Sequence, residues 1–235
     1  MSDIGLFEAI HTARSLRRLK PDPVPEALIT QVLDAAIRAP SGGNAQNWGF
    51  LVVRDAGLRR SLGAIYRKAS DIADKVYAAK GRPPHMTERQ YQRLMSSGSH
   101  LWDHLGDAPV IVVLCLHRPE VPDVPTVDHA AELAYADRIR GASIYPAVQN
   151  IILACRALGL GTTMTTNHLR CEYEVRALLR LPAEVDSFAL MPIGWPVERF
   201  GPLSRKPLAE VAYADRWGNP WPGCASQVKD RPARC

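Results

Sequence analysis

The run RSLRR at 14–18 sets Arg14, Arg17 and Arg18 around Ser15, and LKPDP follows it. Three guanidiniums beside a hydroxyl suit an anion, because the planar fork pairs with phosphate or carboxylate through two parallel bonds. A second segment, PSGGNAQNW at 40–48, offers a different chemistry. Gly42 and Gly43 let a ligand approach the backbone, while Ser41, Asn44 and Gln46 supply uncharged hydrogen bonds. The third, GLGTTMTTN at 159–167, carries a row of threonine hydroxyls. Each has a plainer reading when taken singly: a solvated basic turn, an ordinary helix-to-strand turn, and a Thr-rich strand.

Other sequence patterns are missing. GLGTTM follows a helix and enters a strand, the reverse of a dinucleotide-binding G-x-G-x-x-G, and its last residue is wrong. There is no G-x-x-x-x-G-K-[ST], no H-E-x-x-H and no G-x-S-x-G. His100 and His104 are four apart, as two ligands on one helix would be, but no third ligand lies nearby, so no metal is expected. Tyr66, Tyr91 and Trp102 lie near the basic half without the repeated basic–aromatic pattern of a single-strand nucleic-acid groove.

The elements that must position these residues alternate in period. Asp3 can cap a short helix running through Ala9 to Thr12. Pro25 and Glu26 open a helix with Leu28, Ile29, Val32, Leu33, Ala36 and Ile37 on one face, stopped at Pro40. WGFLVV is a strand, and Asp55 starts a helix toward Ala79. Residues 81–107, with Gly, Pro, Ser and mixed charge, predict a mobile excursion with some helix. VIVVLCL (110–116) is a buried strand and 117–128 a loop. Ser143 opens the most apolar helix, with Val148, Ile151, Ile152, Cys155 and Leu158 in register and Gly159 at its C′ position. GTTMTT then reads as extended, Glu172–Leu179 as a helix and SFALMPIGW (187–195) as a strand. The chain from Glu198 reads as an extended tail. The whole is expected to be one α+β domain over 1–235, with 216–235 as its C-terminal tail.

Composition sets the outer limits. The 235 residues are 46% hydrophobic and 23% charged, which excludes disorder, collagen-like repeats and a small disulfide scaffold. The best apolar runs are too short or too polar for a membrane span. MSDIGLFEAI lacks the pattern of a signal peptide. Cys115, Cys155, Cys171, Cys224 and Cys235 are an odd set without C-x-x-C, so reduced thiols and a cytoplasmic location are expected. The net charge is +5, and residues 1–100 carry 15 Lys and Arg against 9 Asp and Glu. That excess could attract nucleic acid, an acidic membrane or a phosphorylated small molecule.

Taken in order, the segments resemble one family. RSLRRLKPDPVPEALITQVLDAAIRAPSGGNAQNWGFLVVRD is similar to the opening of the nitroreductase family of FMN enzymes, in which a basic-R-S-hydrophobic-R run precedes A-P-S-x-x-N-x-Q-P-W. The similarity continues through QNIILACRALGLGT (149–162), MPIGWP (191–196) and SRKPL (204–208).

The resemblance implies an α/β/α sandwich with a central, mostly antiparallel sheet, forming an intertwined homodimer with FMN at two interface sites. By matching position, Arg14, Ser15, Arg17 and Arg205 would hold the phosphate and the pyrimidine edge of the flavin. Ser41, Gly42 and Asn44 would reach the partner subunit's flavin. Met164, Thr165 and Thr166 align with the segment beside flavin N5, with Thr166 nearest that atom and no side chain acting as general base. Trp48 and Gln149 look like scaffold. Ala13 replaces a frequent phosphate contact, which is either missing or supplied by Arg14 or Lys206, and Asn47 replaces the usual Pro.

The implied activity is an NAD(P)H oxidoreductase. Hydride enters and leaves through flavin N5 in a ping-pong cycle, toward a nitroaromatic or quinone. Residues 81–107 would form a lid, with Tyr91, His100 and Trp102 in the acceptor pocket. Neither nucleic acid nor membrane is expected as a partner. The rival within the superfamily is a reductive dehalogenase like iodotyrosine deiodinase, for which Glu88 and Tyr91 are imperfectly spaced. The flavin-fragmenting enzyme of cobalamin ligand synthesis is another. From other classes, the rivals are a non-catalytic flavin carrier and a basic nucleic-acid-binding module.

Overall fold

Strand β2 (Val110–His117) explains the layering. Seven of its eight residues are buried, so both faces of the sheet must be covered. Val110, Val112, Leu114 and Leu116 point to one side and Ile111, Val113 and Cys115 to the other, the period-2 alternation of a strand. The computed structural model describes residues 4–224, and the chain divides into two units, 1–201 and 202–235.

In the first unit, β1 (Trp48–Val53), β2, β3 (Gly161–Thr162) and β4 (Val185–Gly194) form a sheet in the order β1-β2-β4-β3, antiparallel at every pairing. One face packs on α2 (Glu26–Ala36) and α6 (Gly141–Ala157) through Ile29, Val32, Ile144, Val148 and Ile151. The other packs on α3 (Ala56–Lys80), α4 (Glu88–His104) and α7 (Glu172–Leu179) through Leu62, Tyr66, Leu101, Trp102 and Val175. The result is a helix–sheet–helix sandwich, with the short α1 (Leu6–Thr12) against α6 and α5 (His129–Ile139) leading into it.

Several boundaries differ from those expected. The first helix begins at Leu6 after Gly5, and Asp3 lies outside the described residues. Residues 88–104 are one continuous helix, started by a reciprocal Thr87–Gln90 capping box. The Thr-rich stretch stays in the sheet for only two residues, and Thr165 rejoins it through a single bridge to Leu190. Helix α5 was not expected at all. Asp128 caps it by accepting from the Ala130 and Ala131 N–H groups. The second unit, read as extended, holds short 3-10 turns at Leu208–Glu210 and Pro222–Cys224 and a bridge between Tyr213 and Pro220. Gly159 ends its helix at φ +73, as expected for a C′ glycine. Cys115, Cys155, Cys171 and Cys224 are free and buried, whereas Cys235 lies outside the described residues.

Two buried groups make the fold sensitive to acid. His168 is fully buried, its Nε2 3.2 Å from Ser187 Oγ, and burial pushes its pKa down to about 4. An unfolded histidine takes up its proton near pH 6.5. Stability contributed by the neutral ring is therefore complete above pH 6.5 and is lost as pH falls toward 4, by about 3 kcal/mol. Asp186 accepts from Arg118, Arg140 and Arg176, and the Arg118 bonds foremost hold its carboxyl at about 2. Its contribution is lost only below the ordinary carboxylate range, as pH falls from about 4 toward 2. Urea unfolding at pH 7 and pH 4.5 is expected to show the His168 loss, and His168→Gln should reduce that pH dependence.

Candidate functional site

The arginine run is held as an added edge of the sheet. Leu16 N–H donates to Thr162 O at 3.0 Å, Lys20 N–H to Trp195 O at 2.8 Å, and Val197 N–H to Arg18 O at 3.0 Å. Leu16 is fully buried and anchors the segment, so its neighbour Arg17 is directed toward α4. Two glycines make the close approach possible. A Cβ on Gly161 would lie 2.9 Å from the Leu19 side chain and 3.0 Å from that of Pro196, and one on Gly194 would lie 2.9 Å from Pro109.

Arg17 joins two adjacent cavities. The first, of about 330 Å³, is lined by Tyr66, Tyr77, Tyr91, Leu101 and Trp102 together with Met164, Thr165, Thr166 and Asn167. It is an aromatic and apolar pocket with hydroxyls and an amide on one wall, the usual composition of a small-molecule site. The second, of about 800 Å³, is lined by Arg14, Ser15, Arg17 and Arg18 on one side and by Arg89, Arg93, Ser96 and Ser97 of α4 on the other. Among the described residues, Glu198 is its only acid.

Polar contacts fix this junction. Arg17 Nη1 donates to Ser97 Oγ at 3.1 Å, and burial lowers the guanidinium pKa against the opposing pull of Tyr66 and Glu198. Tyr66, 1% exposed, lies with its hydroxyl 2.7 Å from Thr165 Oγ1. Burial raises the phenol's pKa, so it remains a neutral hydrogen-bonding group. Glu198 takes Arg14 at 3.2 Å and Arg18 at 3.1 Å. The hydroxyls of Thr162 and Thr163, just before this wall, are buried with no partner among the described residues. Buried hydroxyls of that kind favour a polar ligand or water nearby.

The structure thus brings together Arg14, Ser15 and Arg17 with Met164, Thr165 and Thr166 from far along the chain. Of the residues expected in the acceptor pocket, Tyr91 and Trp102 line the aromatic cavity. His100, its ring stacked on that of His104 at 4.4 Å, instead lines a smaller cavity of about 90 Å³ that shares Arg17 and Leu101 with the aromatic one. Ser41, Gly42 and Asn44 lie elsewhere. Gly42 N–H donates to Ser143 Oγ at 3.1 Å, and Gln46 N–H to Ser41 Oγ at 3.0 Å, in a turn where Gly43, Asn44 and Gln46 all have positive φ. Gly42 lines a cavity with α5 and the start of α6. Gln149 is exposed on α6, and Trp48 packs on the core. Arg205 belongs to the second unit, where it donates to Ser204 O at 2.8 Å. Tyr77, Asn167, Arg89, Arg93 and Ser97 also line this region without having been singled out by any sequence motif, and Tyr66 had been noted only as an aromatic near the basic half.

Three layers with an arginine-edged cavity beside the sheet make up the fold, and the sequence matches the nitroreductase family over residues 10–195. The chain belongs to that family. It is 30% identical to an NADH dehydrogenase of Thermus thermophilus, covering 84% of this chain and 90% of that one. It is 31% identical to the 5,6-dimethylbenzimidazole synthase of Rhodospirillum rubrum, over 86% and 91% of the two chains. Among solved structures, iodotyrosine deiodinase bound to FMN and 3-iodo-L-tyrosine superposes with a TM-score of 0.65 at 21% identity, covering 92% of this chain and all of that one. A Desulfovibrio desulfuricans protein solved in complex with FMN is 25% identical with a TM-score of 0.60, over 92% and 99% of the chains. Among the described residues, no helix is long and apolar enough to cross a membrane.

Proposed function

We propose that this protein is an FMN-dependent oxidoreductase that takes reducing equivalents from NAD(P)H and passes them to an electron-poor small molecule, a nitroaromatic or a quinone. The observation that carries this reading is the junction at Arg17, where an aromatic cavity lined by Met164, Thr165 and Thr166 meets an arginine-lined one. FMN has the same two halves, a flat aromatic ring and a phosphate dianion. When bound, FMN supplies two-electron hydride chemistry.

The chain's own residues fit that group. Arg14, Ser15 and Arg17 would hold its anionic end, with Arg17 reaching toward the ring. Met164, Thr165 and Thr166 would line the ring's polar edge without adding charge there. Tyr66 steadies the Thr165 hydroxyl, so that wall is pre-arranged. Tyr91 and Trp102 on α4 exclude water and would select a planar acceptor. The same reading assigns Ser41, Gly42 and Asn44 to the site of a second copy. A homodimer is consistent with α5, which buries none of its residues and leaves Leu133, Tyr135 and Ile139 exposed.

The test is spectroscopic. Purified protein reconstituted with FMN should lose the visible absorption band of oxidised flavin when NADH or NADPH is added without oxygen. The band should return on adding a nitroaromatic or a quinone. A bound flavin that neither nicotinamide can bleach would make the protein a carrier, and turnover confined to halogenated tyrosine would make it a dehalogenase.

A further inference from the structure

The arginine-lined cavity holds more positive charge than FMN can use. Five guanidiniums, those of Arg14, Arg17, Arg18, Arg89 and Arg93, face the single carboxylate of Glu198. A phosphate monoester carries close to two negative charges at neutral pH. One such group offsets half of the surplus and leaves two guanidiniums uncompensated. The geometry says which two. Glu198 pairs with Arg14 and Arg18, and Arg17 is tied to Ser97. Arg89 and Arg93 have no acidic partner among the described residues, and they stand one helical turn apart on α4. Residues four apart on a helix share a face, so both forks address the same space. Gln90, Ser96 and Ser97 add uncharged donors on the same wall. At about 800 Å³ the cavity exceeds what a single phosphate fills, and it opens beside the aromatic pocket through Arg17 and Leu94.

We infer that Arg89 and Arg93 form a second anion site on α4 that takes the 2′-phosphate of the hydride donor, making this an NADPH-preferring enzyme. The inference rests on the FMN reading, under which the flavin ring occupies the neighbouring aromatic cavity and the nicotinamide would stack on it. Clustered guanidiniums are the side chains best matched to a phosphate monoester, and a 2′-hydroxyl in its place would leave both charges unpaired. The preference therefore comes from a charge that NADH lacks.

The experiment compares two fragments of the donor on the flavin-loaded protein by titration calorimetry. Adenosine 2′,5′-bisphosphate carries the extra phosphate and adenosine 5′-monophosphate does not. Wild-type protein should bind the bisphosphate at least tenfold more tightly, and R89Q/R93Q should abolish the difference. The same variant should raise KM for NADPH at least tenfold, leave KM for NADH within twofold and keep the wild-type FMN affinity. Circular dichroism checks that α4 persists, and the single variants R89Q and R93Q serve if the double variant fails to fold. Equal binding of the two nucleotides by wild-type protein, or discrimination that survives in the variants, overturns the inference. Loss of FMN binding in wild-type protein would instead defeat the reading it rests on.

Discussion

Arg17→Ala is expected to weaken FMN binding roughly 10- to 100-fold while leaving the fold intact. Arg17 is the one charged side chain that lines both the aromatic and the arginine-rich cavity. Its burial depresses the guanidinium pKa, so the group holds its charge at a desolvation cost that an anionic ligand would offset. A charge-assisted hydrogen bond in such a place contributes on the order of 1.5–3 kcal/mol, and each 1.4 kcal/mol is tenfold in affinity. Arg14→Ala should cost less, because Arg14 is 41% exposed and already shared with Glu198. Fluorescence titration of FMN into each variant makes the comparison. Unchanged affinity in Arg17→Ala would remove this residue from the site.

Leu16→Ala should have the largest effect on stability, about 2–5 kcal/mol. Leu16 is fully buried, and its backbone N–H bonds to Thr162 O at the edge of the sheet. Its side chain is the apolar anchor between Arg14 and Arg17. Truncating it leaves a cavity where the Gly161 backbone already comes too near Leu19 and Leu16 to admit a Cβ of its own. The expected result is a urea midpoint lowered with little change in m value, together with weaker FMN binding as the arginine segment loosens. A stability loss below 1 kcal/mol would show that the segment does not depend on this anchor.

How much of this was legible in sequence depends on whether the signal was local. The helices at 26–36, 56–80 and 172–179 follow from apolar periodicity, and β2 from its unbroken β-branched run. Helix α5 escaped because its apolar residues bury no face, which leaves only the Asp128 cap to announce it. Residues 88–104 read as an excursion because Gly98 and the three serines Ser96, Ser97 and Ser99 dilute the helical pattern that the Thr87–Gln90 box starts. The three polar segments were visible, but what each one meets was not. Nothing near Tyr66 shows that its hydroxyl reaches Thr165, and nothing near Arg89 or Arg93 shows that they face Arg14 and Arg17. Those relations exist only once α3 and α4 fold back over the sheet.

The most direct measurement of the central claim is equilibrium titration of flavin-free protein with FMN, followed by quenching of flavin fluorescence and scored for stoichiometry. One FMN bound per chain, displaced by high concentrations of inorganic phosphate and weakened in Arg17→Ala, is the expected result. Protein that takes up no FMN, or binds it equally well without Arg17, would contradict the assignment of these two cavities.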